Sequence, residues 1–281
     1  MALSRFKDLF QCSRAAVIGM IHVKALPGTP LNRHGINELV EMARQEAFAY
    51  KEAGVDGVLV ENMFDIPYLM GASLGPEVVA TMTRVCQEVR SIIPKRIPCG
   101  IQILAGGNKE ALAVGKACGL QFIRAECFVF SHVADEGLMN ACAGPLLRYR
   151  RSIGAEDVLV FTDIKKKHSA HSITSDVGIA DTAEAAKFFL ADGVILTGSA
   201  TGTGRFFDLL SFLQTLNMNF DSWDLPVLIG SGVTSDNVHK YMDAHGFIVG
   251  SHFKTGGSWM GDLEYEKIES FTTLVRNLRK D

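Results

Sequence analysis

The chain reads as an α/β protein, a single-domain (β/α)8 TIM barrel, and three observations lead there. Short, nearly continuous runs of Val, Ile, Leu and Phe recur eight times from Ala16 onward, the pattern of strands buried on both faces. Segments with helical apolar spacing alternate with them, without a linker or low-complexity break, as in the repeating unit of such barrels. Polar residues gather where the apolar runs end, at the face where α/β folds collect their chemistry. An open doubly wound sheet of eight strands is the competing architecture, because the hydrophobic pattern suits both.

The eight strand candidates are residues 16–23 (AVIGMIHV), 57–62 (GVLVEN), 99–104 (CGIQIL), 122–126 (FIRAE), 157–164 (DVLVFTDI), 193–198 (GVILTG), 226–232 (PVLIGSG) and 246–251 (GFIVGS). Helix candidates between them include INELVEMARQEAFAYKEAG, NKEALAVGKACG, TAEAAKFFLADG and TSDNVHKYMDAHG. Several run into a glycine before the next strand, which suggests a left-handed C-cap at that glycine. Ahead of the first strand, residues 1–15 form an extension in which residues 4–10 read as a short amphipathic helix capping the bottom of the fold; residues 16–281 form the barrel domain. The opening MALSRFKDLFQCSR carries three basic residues and one acid, a weak likeness to a mitochondrial presequence, and lacks the apolar core of a secretory signal. After the first strand LPGTPLNRHG is a shaped loop with two prolines and two glycines. After the fourth, the long segment from Cys127 to Ala155 reads as a lid or specificity element. Its Phe128 and Phe130 are expected over the mouth, and Arg148, Arg150 and Arg151 on a solvated helix face.

Composition excludes several classes. The 281 residues are 47% hydrophobic and 21% charged, with a net charge of −3, so no basic footprint for nucleic acid exists. No apolar stretch reaches the ~18 residues of a membrane span. Six cysteines at 12, 86, 99, 118, 127 and 142 form no C-x-x-C pair, which fits a reducing compartment, cytoplasm or mitochondrial matrix. There is no G-x-x-x-x-G-K-[ST] loop for a nucleotide phosphohydrolase. A homo-oligomer is left open.

Two turns carry the sharpest chemistry. VLIGSGVTSDNV places Gly230, Ser231, Gly232, Val233 and Thr234 after strand seven, and FIVGSHFK places Gly250, Ser251 and Lys254 after strand eight. Small residues let backbone N–H groups approach an anion, the following helix N-terminus adds positive potential, and Lys254 would be a counter-charge. A phosphate site from these two loops recurs on this barrel, so the expected partner is a phosphorylated small molecule.

In FTDIKKKHSAH, strand alternation puts Phe161, Asp163 and Lys165 on one face. Asp163 and Lys165 would then point into the mouth as a charge pair, a base or an amine nucleophile, with Lys166, Lys167 and both histidines on the following loop. Glu61 and Glu126 are further acid or base candidates, and His22, Asn62, Gln102, Arg124 and Thr197 are candidates for orienting substrate. A divalent transition metal is a weaker option, with His168 and His171 three apart, since no H-E-x-x-H or comparable spacing specifies one. No cofactor is firmly implied.

Taken together, IGMIHVKALPGTP, VENMFDIPY, ILAGGNKEALAVGKA, FIRAECFVFSHVADEG, DIKKKHSAH, TGSATG, SGVTSDNV and VGSHFK resemble the BtpA family over residues 16–275. This family is grouped with the ribulose-phosphate-binding barrels. The resemblance implies a TIM-type barrel with a phosphate site on Gly230 to Thr234 and Gly250 to Lys254. It also implies a link to photosystem I assembly or stability in photosynthetic organisms and a mitochondrial location for eukaryotic relatives. The functions to separate are therefore an isomerase, aldolase or lyase acting on a phosphorylated sugar or similar phosphoester, a non-catalytic assembly factor, and a metal-dependent hydrolase.

Overall fold

The computed structural model describes residues 2–166, 169–197 and 223–279. Eight parallel strands close into a barrel: β1 (Ala16–His22), β2 (Gly57–Glu61), β3 (Cys99–Gln102), β4 (Phe122–Ala125), β5 (Leu159–Ile164), β6 (Gly193–Leu196), β7 (Val227–Ile229) and β8 (Gly246–Val249). The order around it is β1-β8-β7-β6-β5-β4-β3-β2. Closure is made by β1, which pairs with β2 from Ile18↔Gly57 to His22↔Glu61 and with β8 from Ala16↔Gly246 to Gly19↔Val249. An open doubly wound sheet is thereby excluded.

Among the described residues seven α-helices occur: α1 (Ala2–Phe10), α2 (Ile36–Glu52), α3 (Pro76–Ile92), α4 (Asn108–Cys118), α5 (Ala143–Ser152), α6 (Ile179–Phe188) and α7 (Tyr265–Leu278). The strands alternate between two cores. One face, with Val58, Val60, Ile101, Ile123, Val160 and Val194, packs against the surrounding helices. The other fills the barrel with Ile18, Met20, Leu59, Phe122, Phe161, Ile195, Leu228 and Ile248. Large rings meet small positions there: a Cβ on Gly100 would lie 2.2 Å from the Phe122 ring. At the bottom α1 inserts Phe6 and Phe10, both buried, among these residues. Phe6 stands 4.6 Å from Phe10 and 6.0 Å from Phe161 between ring centroids.

Local details differ from expectation. TSDNVHKYMDAHG forms no α-helix; its regular part is a single 3-10 turn, Val238–Tyr241. Glycine takes the left-handed backbone at Gly54 (φ 70°) and Gly119 (φ 64°), but after α6 Leu190 does so (φ 65°). Gly193 and Gly246 instead begin strands, where a Cβ would meet the Phe161 ring at 2.7 Å or the Ala16 carbonyl at 3.2 Å. Phe128 is fully buried in the outer core and does not cover the mouth, whereas Phe130 is exposed. Arg150 is not solvated, since it bonds Asp192 at 2.6 Å.

The loops after β4 and β5 build a small antiparallel sheet. His132–Ala134 pairs with Gly137–Met139 and, on its other edge, with Ser169–Ala170. It stands over the β4–β5 side of the C-terminal end.

Candidate active site at the barrel mouth

Side chains alternate along a strand, so the inward series that fills the barrel continues upward into polar residues. From Ile18 and Met20 it reaches His22; from Leu59, Glu61; from Gly100, Gln102; from Phe122, Arg124; from Phe161, Asp163; and from Ile195, Thr197. His22, Glu61, Gln102, Asp163 and Thr197 are all buried, as is Glu126 just beyond β4.

Arg124 is the centre of the group. Its Nε and Nη2 donate to Asp163 Oδ2 and Oδ1, both at 2.9 Å, a bidentate pair. Burial opposes the charge on Arg124, but Asp163, Glu61 and Glu126 together hold its pKa above the ordinary value. Burial raises the Asp163 carboxyl, and Arg124 pulls against that rise. The guanidinium reaches toward β7, where a Cβ on Gly230 would lie 3.7 Å from Nη2.

Glu61 is a strongly altered acid. Burial pushes its carboxyl from 4.5 up to about 7, with Arg124 lowering and Glu126 and Asp163 raising it. Its Oε2 lies 3.6 Å from Nε2 of His22. Burial, then Lys254, pushes His22 down to about 3, so its ring is neutral at physiological pH. Nδ1 of His22 is 3.4 Å from the carbonyl of Trp259. A carbonyl only accepts, so the proton belongs on Nδ1 and the Nε2 lone pair faces Glu61. Trp259 also packs edge-on to His22 and against Phe64, whose ring lies 4.1 Å below the ammonium of Lys24.

Lys165 is not where alternation put it. The strand ends at Ile164, and Lys165 adopts a left-handed backbone (φ 47°) that breaks the period. Its ammonium donates to the carbonyl of Thr174 at 3.0 Å, away from Asp163. Lys166 enters instead and donates to Glu126 Oε1 at 2.5 Å. Burial works against its charge, but Glu126, Asp163 and Cys127 outweigh it and raise its pKa. The other oxygen of Glu126 accepts the Gly106 N–H at 2.7 Å. Lys166 thus holds a fixed positive charge in the mouth, which suits electrostatic stabilisation and not Schiff-base chemistry.

Two further expectations change. Asn62 is fully buried and spends its amide on Asp65 and on the N–H and C=O of Leu104, so it is a strut for the loop after β3. Lys254 is buried on the outer side, paired with Glu46 of α2 at 2.8 Å, and supplies no exposed counter-charge at the two turns. His171 Nε2 lies 3.0 Å from the carbonyl of Lys166, and its ring is 5.2 Å from that of His132. His168 lies outside the described residues, as do Lys167 and the TGSATG stretch beyond Thr197. Among the described residues no group of three or more His, Cys, Asp or Glu is arranged to hold a metal ion.

The turns after β7 and β8 lie side by side. Gly232 has φ 76°, a conformation suited to glycine. Asn237 braces the first turn by accepting the Thr234 N–H at 2.8 Å and donating to the Gly232 carbonyl at 2.8 Å. Ser235 ties it to the second, its Oγ lying 3.0 Å from Nε2 of His252. The amides of Gly232 and Val233 have no protein partner among the described residues. With no α-helix behind the turn, any anion binding rests on these amides and on Arg124, not on a helix dipole. Gly250 abuts the His22 ring, where a Cβ would meet Cε1 at 3.0 Å. Across the mouth, Gln102 Oε1 is buried without a hydrogen-bond partner among the described residues.

Arg124 and Lys166 carry the two signals that reading by residue type understated. Arg124 sits at an inward position of β4, so alternation could have made it the centre; Lys166 sits after a strand end, where no pattern points inward.

The fold is shared with known barrels. OMP decarboxylase of Leishmania donovani matches with a TM-score of 0.58 at 13% identity, covering 98% of this chain and 99% of that one. Phosphoribosyl anthranilate isomerase of Thermus thermophilus matches with a TM-score of 0.53 at 11% identity, covering 94% and 99%. In sequence, a Caenorhabditis elegans protein described as uncharacterized and mitochondrial is 50% identical over 275 residues, 97% of each chain. The photosystem I biogenesis protein BtpA of Synechocystis is 33% identical over 269 residues, 94% of this chain and 90% of that one. The model of the BtpA family matches residues 13–277, and the chain belongs to that family.

Proposed function

We propose that this BtpA-family barrel is an enzyme that moves a proton on a phosphorylated sugar or similar small phosphoester, an isomerase or lyase with Glu61 as its acid–base group. The observation that carries this is the buried Glu61, held at about 7 beside a neutral His22 and the Arg124–Asp163 pair. A group that takes a proton from one carbon and returns it to another works best when its pKa lies near the working pH. His22 offers a neutral partner to the proton, while Arg124 and Lys166 stabilise negative charge developing on an enolate-like oxygen. Gln102 Oε1 accepts a substrate hydroxyl, and the turns at Gly230–Thr234 and Gly250–Ser251 take the phosphate.

The test is proton exchange. Intact protein is incubated in D2O with aldose and ketose phosphates, and loss of C–H signal is followed by NMR. Protein-dependent exchange that disappears in Glu61→Gln supports the activity. Absence of exchange, together with absence of thermal stabilisation by every phosphorylated ligand tried, sinks it.

One observation favours a second reading, a non-catalytic assembly factor: the Synechocystis relative is named for photosystem I biogenesis. That role predicts a normal cellular phenotype for Glu61→Gln and Asp163→Ala, and loss only with changes on the outer surface. The mitochondrial description of the C. elegans relative supports a matrix location. No helix among the described residues is long and apolar enough to cross a membrane.

A further inference from the structure

Beside the mouth, on the β3–β4 side, lies a cavity of about 460 Å³. It is framed by the loops after β2, β3 and β4 and by the first turns of α4 and α5. Its size falls within the about 300–1,000 Å³ common for small-molecule sites. The walls are apolar, with Met70, Met139, Leu138, Leu146, Ala105 and Pro145 prominent, and the charged Lys109 and Glu110 also border it. Thioethers are polarisable and adapt to ring faces.

The cavity shares its wall with the polar cluster. Gly106 lines it and donates its N–H to Glu126 Oε2 at 2.7 Å. Asn108 lines it and holds the Glu126 backbone on both sides, donating to the carbonyl at 2.7 Å and accepting the N–H at 3.1 Å. Cys127 stands between this cavity and the narrow cleft that contains Asp163 and Lys166. In the strand order β1-β8-β7-β6-β5-β4-β3-β2, the β3–β4 edge lies across the barrel from β7–β8. An apolar chamber and the turns after β7 and β8 thus lie on opposite sides of the barrel mouth.

We infer that this cavity is the subsite for a planar apolar ring on the ligand, so that the substrate class is a phosphorylated sugar carrying an aromatic or heteroaromatic substituent. The ring half of this assignment stands on the cavity; the phosphosugar half rests on the function proposed above. Phosphate at the β7–β8 turns and ring between Met70 and Met139 would stretch the ligand across the mouth, with the atoms that join them over Glu61 and Glu126.

Three probes separate the halves: indole for the cavity, ribose 5-phosphate for the turns, and uridine 5′-monophosphate for both. Ala141 is exposed on the cavity rim, so Ala141→Trp fills the space without touching the core; Ala72→Trp, also exposed, is the independent second blocker. The wild-type protein is expected to bind indole by saturation-transfer NMR, and both Trp variants to lose it while ribose 5-phosphate affinity by calorimetry is unchanged. The nucleotide should bind about tenfold tighter than ribose 5-phosphate to wild type, and within about twofold of it to the variants. Failure of indole to bind, retention of indole by both variants, or equal affinity for the two phosphates overturns the ring subsite. Indole binding without any ribose 5-phosphate binding overturns the phosphoester function and leaves the ring subsite standing.

Discussion

Substituting Glu61 by Gln isolates the energetic consequence of burying an acid at the barrel mouth. Glu61 is 5% exposed, and its carboxyl is held at about 7, against an ordinary value of 4.5. Between those two pH values the folded chain keeps a proton that the unfolded chain has released, so folding is weakened as pH rises and the loss levels off above about 7. Each pH unit in that window is worth about 1.4 kcal/mol, so the full effect is about 3 kcal/mol by pH 8. Glu61→Gln holds a neutral amide of similar shape at every pH and escapes this loss. Urea denaturation from pH 5 to pH 9 should therefore give two curves that nearly coincide in acid and separate by about 3 kcal/mol at pH 8, with the Gln protein the more stable. Because other titrating groups are common to both proteins, the difference reports on Glu61. Parallel curves, or a Gln protein less stable at pH 8 than wild type, would refute both the raised pKa and the acid–base role built on it.

Other consequences follow from burial and pairing. Phe6→Ala empties the plug at the barrel bottom and should cost about 3–5 kcal/mol in urea melts; a loss under about 1 kcal/mol would mean the helix does not close the barrel. Lys254→Met strands the half-buried Glu46 and should cost about 3 kcal/mol at pH 8, less in acid where the raised Glu46 carboxyl takes up a proton; a loss independent of pH contradicts the pairing. Lys166→Ala should lower the rate of proton exchange on the order of 10²-fold while Lys165→Ala changes it little, and the opposite ranking would restore Lys165 to the mouth.

The ends of the apolar runs in β1, β2, β3, β5 and β6 made His22, Glu61, Gln102, Asp163 and Thr197 legible as a polar rim, because where a buried strand stops is a local property of the chain. The eight apolar runs likewise announced eight strands, and the closed order of the barrel agrees with that pattern. Where a strand stops, the period carries no information. Lys165 and Lys166 exchange roles through one left-handed residue, and Asn62 turns from a ligand contact into a strut.

What the amino-acid sequence determined by itself was the kind of fold and the polar strand-end positions that ring its mouth. Only the tertiary structure decided which charges meet: Arg124 with Asp163, Lys166 with Glu126, and Lys254 with Glu46. It also decided that burial raises Glu61 toward neutrality and that an apolar chamber forms behind the loops that carry Gly106, Asn108 and Cys127. The physical reason is that pairing and desolvation depend on groups brought together from strands and loops far apart in the chain, whereas strand and helix periods depend on neighbours a few residues away.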